Sequence, residues 1–132
     1  MKRMISIIAI LLIAVSAWAV QKGGDFGDQF GSAYYGHVTA VNAATYDLLA
    51  TDFILNVTYT DTAAVTSLTL PTAQVIAGRL IHIKDSDMNA NTNSITIDTE
   101  GGATIDESAT LVMNVDGQSV SLFCDGVNWW IF

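Results

Sequence analysis

The chain has 132 residues, of which 51% are hydrophobic and 14% charged, and it carries a net charge of −8. That length allows one domain with a real core. The acidic balance argues against a surface built for nucleic-acid phosphates or anionic lipid headgroups, and the single cysteine, Cys124, rules out an internal disulfide framework.

The N-terminus opens with the basic start Met1-Lys2-Arg3, followed by an almost wholly apolar run from Met4 to Val15. Ala17-Trp18-Ala19 then supplies the small-x-small pattern read by signal peptidase. These are the three regions of a secretory leader over residues 1–19, with cleavage expected after Ala19. The competing reading is a retained membrane helix. At ~1.5 Å per residue, Met4–Val20 would reach about 25 Å, the short limit for a bilayer span. Cleavage would leave Lys22, Arg79 and Lys84 against thirteen acids, a net charge near −10.

Residues 20–40 read as an arm. Its sequence from Val20, VQKGGDFGDQFGSAYYG, holds neither a helical nor a strand period. Glycine and aspartate space out single aromatics, a composition that is flexible in isolation. Phe26, Phe30, Tyr34 and Tyr35 on such an arm need apolar surface to cover them, which makes them interface or ligand candidates.

Residues 41–132 form the expected β-domain, with β patterning already visible from His37. Period-two apolar sets recur: Phe53, Leu55, Val57 and Tyr59; Leu68 and Leu70; Ile81 and Ile83; Ile95 and Ile97; Leu111, Met113 and Val115; Val120, Leu122 and Cys124. Pro71 opens a possible helical turn over Thr72–Ala77. Strands at this spacing predict an all-β fold, a compact and mostly antiparallel β-sandwich or small barrel. Cys124 reads as a small apolar core residue and His82 as an outward strand residue.

Between two of these strands lies DSDMNANTN, residues 85–93. Asp85, Asp87 and Asn89 have the spacing that begins a calcium loop. The loop also needs glycine at its sixth place and an acid at its twelfth, where this chain has Ala90 and Thr96. The segment therefore reads first as a polar connection, since Asp and Asn side chains bond nearby backbone in turns. Calcium on Asp85, Asp87 and Asn89 is the alternative, and no other cofactor is expected.

The chain ends NWWIF. Trp129 and Ile131 share one face of a strand, Trp130 and Phe132 the other. Core on one side and subunit contact on the other is the favoured reading. A sugar-stacking platform on Trp130 is the alternative. No nucleophile elbow and no P-loop occur, and the histidines His37 and His82 lack metal-ligand spacing. An enzyme is not expected.

Several short motifs occur together: Leu49-Ala50-Thr51-Asp52, Leu68-Thr69-Leu70-Pro71, Ile83-Lys84-Asp85, Asn93-Ser94-Ile95-Thr96-Ile97, Thr104-Ile105-Asp106, and Asp125-Gly126 with Asn128-Trp129. In this order they resemble a β-module common near the ends of bacteriophage tail-fibre and other virion-surface proteins, over roughly residues 44–132. The resemblance implies a compact, mostly antiparallel module that assembles, presents or binds at a surface, with no catalytic set. Such modules usually end a long fibre and carry no leader. Behind a leader, the expected setting is outside a bacterial cell or in a virion with a membrane. The expected function is a secreted or virion-surface structural protein that self-associates, as a homo-oligomer or polymer, through its arm and C-terminal strand. A cell-surface glycan or receptor is the alternative partner. A membrane is a partner only if the leader is retained.

Overall fold

A computed structural model describes residues 36–60 and 65–132. The expected leader, and Phe26, Phe30, Tyr34 and Tyr35 of the arm, lie outside the described residues. The described domain starts at Gly36, within the stretch read as arm.

Among the described residues nine strands build the domain: β1 (Val38–Val41), β2 (Thr45–Asp47), β3 (Ile54–Val57), β4 (Thr66–Leu70), β5 (Leu80–Asp85), β6 (Ile95–Thr99), β7 (Thr110–Met113), β8 (Ser119–Cys124) and β9 (Trp129–Ile131). They form two sheets, five-stranded in the order β1-β3-β5-β8-β9 and four-stranded in the order β2-β4-β6-β7. A 3₁₀ turn over Thr72–Gln74 follows Pro71, where the sequence places a helical turn.

The first six strands alternate between the sheets, and every second strand pairs in parallel: β1 with β3, β2 with β4, β3 with β5, β4 with β6. The chain thus winds as successive two-strand coils, like a short solenoid. The coils are unequal. Val38 pairs with Ile54, 16 residues on, and Ile54 pairs with His82, 28 residues on. Antiparallel pairs appear only afterwards: β6 with β7, β5 with β8, β8 with β9.

This corrects the expected topology. The domain is all-β with two mixed sheets sharing one core, but it is not mostly antiparallel, and the described strands form two separate sheets rather than one closed barrel. Period-two patterning records which face of a strand is buried. It is silent on the direction of the neighbouring strand.

The core lies between the sheets. Leu55, Val57, Ile81, Ile83, Leu122, Cys124 and Trp129 come from one, Leu68, Leu70, Ile95, Ile97 and Met113 from the other, and all are buried. Most were placed inward by their spacing. Leu111 is only half-buried, and Val115 is exposed because it follows the end of β7. Burying one such aliphatic side chain contributes roughly 1.5–3 kcal/mol, so the inner faces dominate the stability of the fold.

Candidate functional site

The residues that tie the turns are largely the acids and amides of the sequence motifs. Asp52 is buried at the end of Leu49-Ala50-Thr51-Asp52. Its Oδ1 accepts the Thr39 hydroxyl at 2.5 Å, and its Oδ2 accepts the Tyr46 hydroxyl and the Leu49 N–H, both at 2.8 Å. Burial, then the hydrogen bond to Asp52, pushes the Tyr46 phenol up to about 12. Arg79 closes the same corner, its Nη2 donating to the carbonyls of Leu49 at 2.8 Å and Asp52 at 2.7 Å.

Asp85 ends β5 and is wholly buried. Its Oδ1 accepts the Thr60 hydroxyl at 2.8 Å, and its Oδ2 accepts the N–H groups of Asn89 (3.1 Å), Ala90 (3.0 Å) and Gly117 (3.0 Å). Burial alone would raise its pKa. The N–H of Gly117, the Thr60 hydroxyl and the N–H groups of Ala90 and Asn89 outweigh burial and hold the carboxyl below its ordinary range. Asn89 and Asn93 each donate their side-chain amide to the Thr60 carbonyl, at 2.7 and 2.6 Å.

Those bonds define a tied turn. As a calcium ligand Asp85 would have to exchange them, and Asn89 already donates through both its backbone and its side chain. Asp87 is half-buried. Among the described residues, no group of three or more His, Cys, Asp or Glu side chains is disposed to hold a metal ion.

The C-terminal motifs meet each other. Asn128 Oδ1 accepts the backbone N–H and the hydroxyl of Thr104, both at 3.0 Å. The N–H of Trp129 donates to the Thr104 carbonyl at 2.8 Å, the N–H of Asp106 to the Trp129 carbonyl at 3.1 Å, and the N–H of Ile131 to Asp106 Oδ1 at 3.0 Å. Thr104–Asp106 therefore covers the free side of β9. Asp106 and Glu107 adopt left-handed backbone, with φ of 44° and 69°, to make that connection.

The outer face of the five-stranded sheet gathers the aromatic residues. Phe53 meets the His82 ring edge-on, centroids 5.1 Å apart. His82 lies 6.2 Å from the Phe132 ring, and Phe132 lies 6.0 Å from Phe123. Gly78, Leu80, Phe123 and Phe132 line a shallow hollow that is almost purely apolar. Phe132 is 64% exposed and Phe123 37%. Polar relief on this row comes from His82, whose Nδ1 shares a 2.7 Å hydrogen bond with the Ser121 hydroxyl.

Trp130 pairs with Phe123 across β8 and β9 and is half-buried, while Trp129 is fully buried. The two faces read from NWWIF are thus one core face and one outer face. Ile131, at the strand end, is 41% exposed. The Trp130 indole N–H donates to Asp125 Oδ2 at 2.8 Å, and Asp125 Oδ1 accepts the N–H groups of Val127 and Asn128, each at 2.8 Å. The Asn128 N–H, then the Trp130 indole and the Val127 N–H, hold the Asp125 carboxyl below its ordinary range.

Of the candidates within the described residues, Trp130 and Phe132 share the outer sheet face, and Asp85 and Asn89 share the tied turn. Phe53, Leu80, His82 and Phe123 complete the aromatic face and were not singled out as contact residues. Leu80, His82 and Phe123 are joined by the β5–β8 register, which follows from the fold, whereas Phe53, which period two groups with the inward Leu55 and Val57, precedes β3 and turns instead onto the outward His82.

Among known proteins, no family model matches this chain and no curated protein matches its sequence. Among the described residues, no helix is long and apolar enough to cross a membrane.

Proposed function

We propose that this chain is a non-enzymatic structural protein of an extracellular or virion surface, and that it self-associates. The observation that carries this reading is the aromatic outer face of the five-stranded sheet, where Phe123 and Phe132 stand exposed around an apolar hollow. Apolar surface of that kind contributes little to its own fold. It gains free energy when a partner covers it. The two-faced C-terminal strand supports the same reading, with Trp129 anchoring the core and Trp130 and Phe132 facing out. The glycine-spaced aromatics Phe26, Phe30, Tyr34 and Tyr35 supply a second set of apolar groups that a neighbouring copy would cover.

A chain of net charge −8 repels its own copies, so apolar contact must overcome that repulsion, and added salt should strengthen assembly. Negative-stain electron microscopy of the purified chain, with and without calcium, tests the reading. Filaments, rings or sheets that vanish when Val20–Ser32 is deleted support assembly through the arm. Assembly unchanged by that deletion removes the arm from the account.

A second reading, a glycan- or receptor-binding module, is supported by the Trp130 indole held in place by Asp125. A fixed aromatic platform beside a carboxylate suits sugar stacking. Glycan-array binding lost in Trp130→Ala would favour it.

A further inference from the structure

We infer that the coil formed by β1 and β2 is a pairing edge for a second copy of this chain, which docks head to head about a twofold axis. This deepens the self-association reading by naming a second contact, distinct from the aromatic face.

The inference starts from topology. Among the described residues, β1 ends the five-stranded sheet and β2 ends the four-stranded sheet. Both strands belong to the first coil, so among the described residues both sheets end, at the same end of the domain, in a strand with a neighbour on one side alone. The other end is treated differently. There the free side of β9 is covered by Thr104–Asp106, so among the described residues one sheet keeps an open edge at that end, the four-residue β7, against two at the first coil.

The backbone groups facing outward can be assigned. The carbonyls of His37 and Val41 accept from Ile54 and Thr58 of the β3 region, so alternation turns the N–H and C=O of Val38 and Ala40 away from β3. Likewise Ala44 and Leu48 bond to Ser67 and Thr69, which turns Thr45 and Asp47 away from β4. Natural edges are usually blunted by lysine, proline, a bulge or a covering loop. Val38-Thr39-Ala40-Val41 has neither charge nor proline, and Val38 is 57% exposed.

A second copy satisfies both edges in one operation. A twofold axis perpendicular to the sheets sets β1 antiparallel to β1 of the partner and β2 antiparallel to β2 of the partner. Centring the pairs on Thr39 and Tyr46 makes outward-facing residues exchange hydrogen bonds: Val38 opposite Ala40, and Thr45 opposite Asp47. Each Asp47 then meets a threonine rather than another carboxylate, so the register brings no like charges face to face.

Cysteine pairing across the edge tests this on the full chain. A hydrogen-bonded antiparallel pair places Cα atoms about 5.5 Å apart, within disulfide reach. Native Cys124 is buried and stays out of the reaction. A mixture of Val38→Cys and Ala40→Cys chains should form a covalent dimer on mild oxidation, and neither chain alone should do so. Ala40→Pro, which removes an outward N–H and leaves the β1–β3 ladder intact, should weaken dimerisation by about tenfold or more. No covalent dimer from the mixture overturns the inference. So does equal crosslinking of Val38→Cys alone, because the register would then differ. If assembly is abolished by Phe123→Ser with Phe132→Ser while the mixture never crosslinks, the edge contact falls and the aromatic-face reading stands.

Discussion

The carboxylate of Asp85 and the backbone N–H of Gly117 meet at 3.0 Å although 32 residues separate them in the chain. The contact joins the end of β5 to the turn between β7 and β8, and Lys84 reaches the Gly117 carbonyl from the neighbouring position. A buried carboxylate with four donors organises that end of the domain.

Asp85→Ala should therefore be among the most damaging single changes. It strands three N–H groups and a hydroxyl without an acceptor, and we expect a loss of roughly 3 kcal/mol or more in urea unfolding. A loss below about 1 kcal/mol would show that water replaces the carboxylate easily.

The same group sets the acid limb of stability. The folded pKa of Asp85 is depressed, so its contribution is fully present above the ordinary carboxylate value of about 3.9 and is lost as pH falls below it. Urea midpoints should fall as pH drops below about 4, and Asp85→Asn should flatten that slope while lowering stability at neutral pH.

Tyr46 sets an alkaline limb of opposite sign. Its folded pKa is raised to about 12, so its contribution is complete below the unfolded value of about 10 and is lost as pH rises from there through 12. Ultraviolet titration should show a tyrosine ionising near pH 12, a phase missing from Tyr46→Phe.

Thr66 is buried in β4, and its hydroxyl has no hydrogen-bond partner among the described residues. Valine has nearly the same shape and no polar atom to desolvate. Thr66→Val should raise the unfolding free energy by about 1 kcal/mol, and an unchanged or lower value would mean that the hydroxyl is satisfied in solution.

Gly117 has φ of +67°, and a Cβ there would meet the Met88 sulfur at 2.5 Å. Gly117→Ala should cost about 1–2 kcal/mol from the left-handed backbone alone, even if the Met88 side chain moves aside.

Much of the core was legible in the sequence because its signal is local. Leu68 and Leu70, Ile81 and Ile83, Ile95 and Ile97, and Val120, Leu122 and Cys124 all lie inward as their spacing requires. Trp129 and Trp130 take opposite faces, as neighbours on a strand must. The coil winding was not legible, since parallel pairs such as Val38 with Ile54 depend on loops rather than on strand pattern. Nor was the partnership of Thr60 with Asp85, 25 residues apart, or of Asn128 with Thr104, 24 apart. An Asp in a polar stretch looks the same whether it will bind an ion or tie a turn, and only the donors brought to it by distant segments decide. The aromatic face was half visible, in Trp130 and Phe132, and the β8 register supplied Phe123.

Sedimentation velocity across a hundredfold range of protein concentration tests the proposal of self-association most directly, comparing the native chain with the Phe123→Ser, Phe132→Ser double variant. The account predicts a larger species that grows with concentration and salt in the native chain, and, at matched concentrations of the variant, nothing larger than the dimer paired through β1 and β2, with an unchanged thermal unfolding midpoint. A native chain that remains monomeric throughout, or a variant that associates as strongly as the native chain, would contradict it.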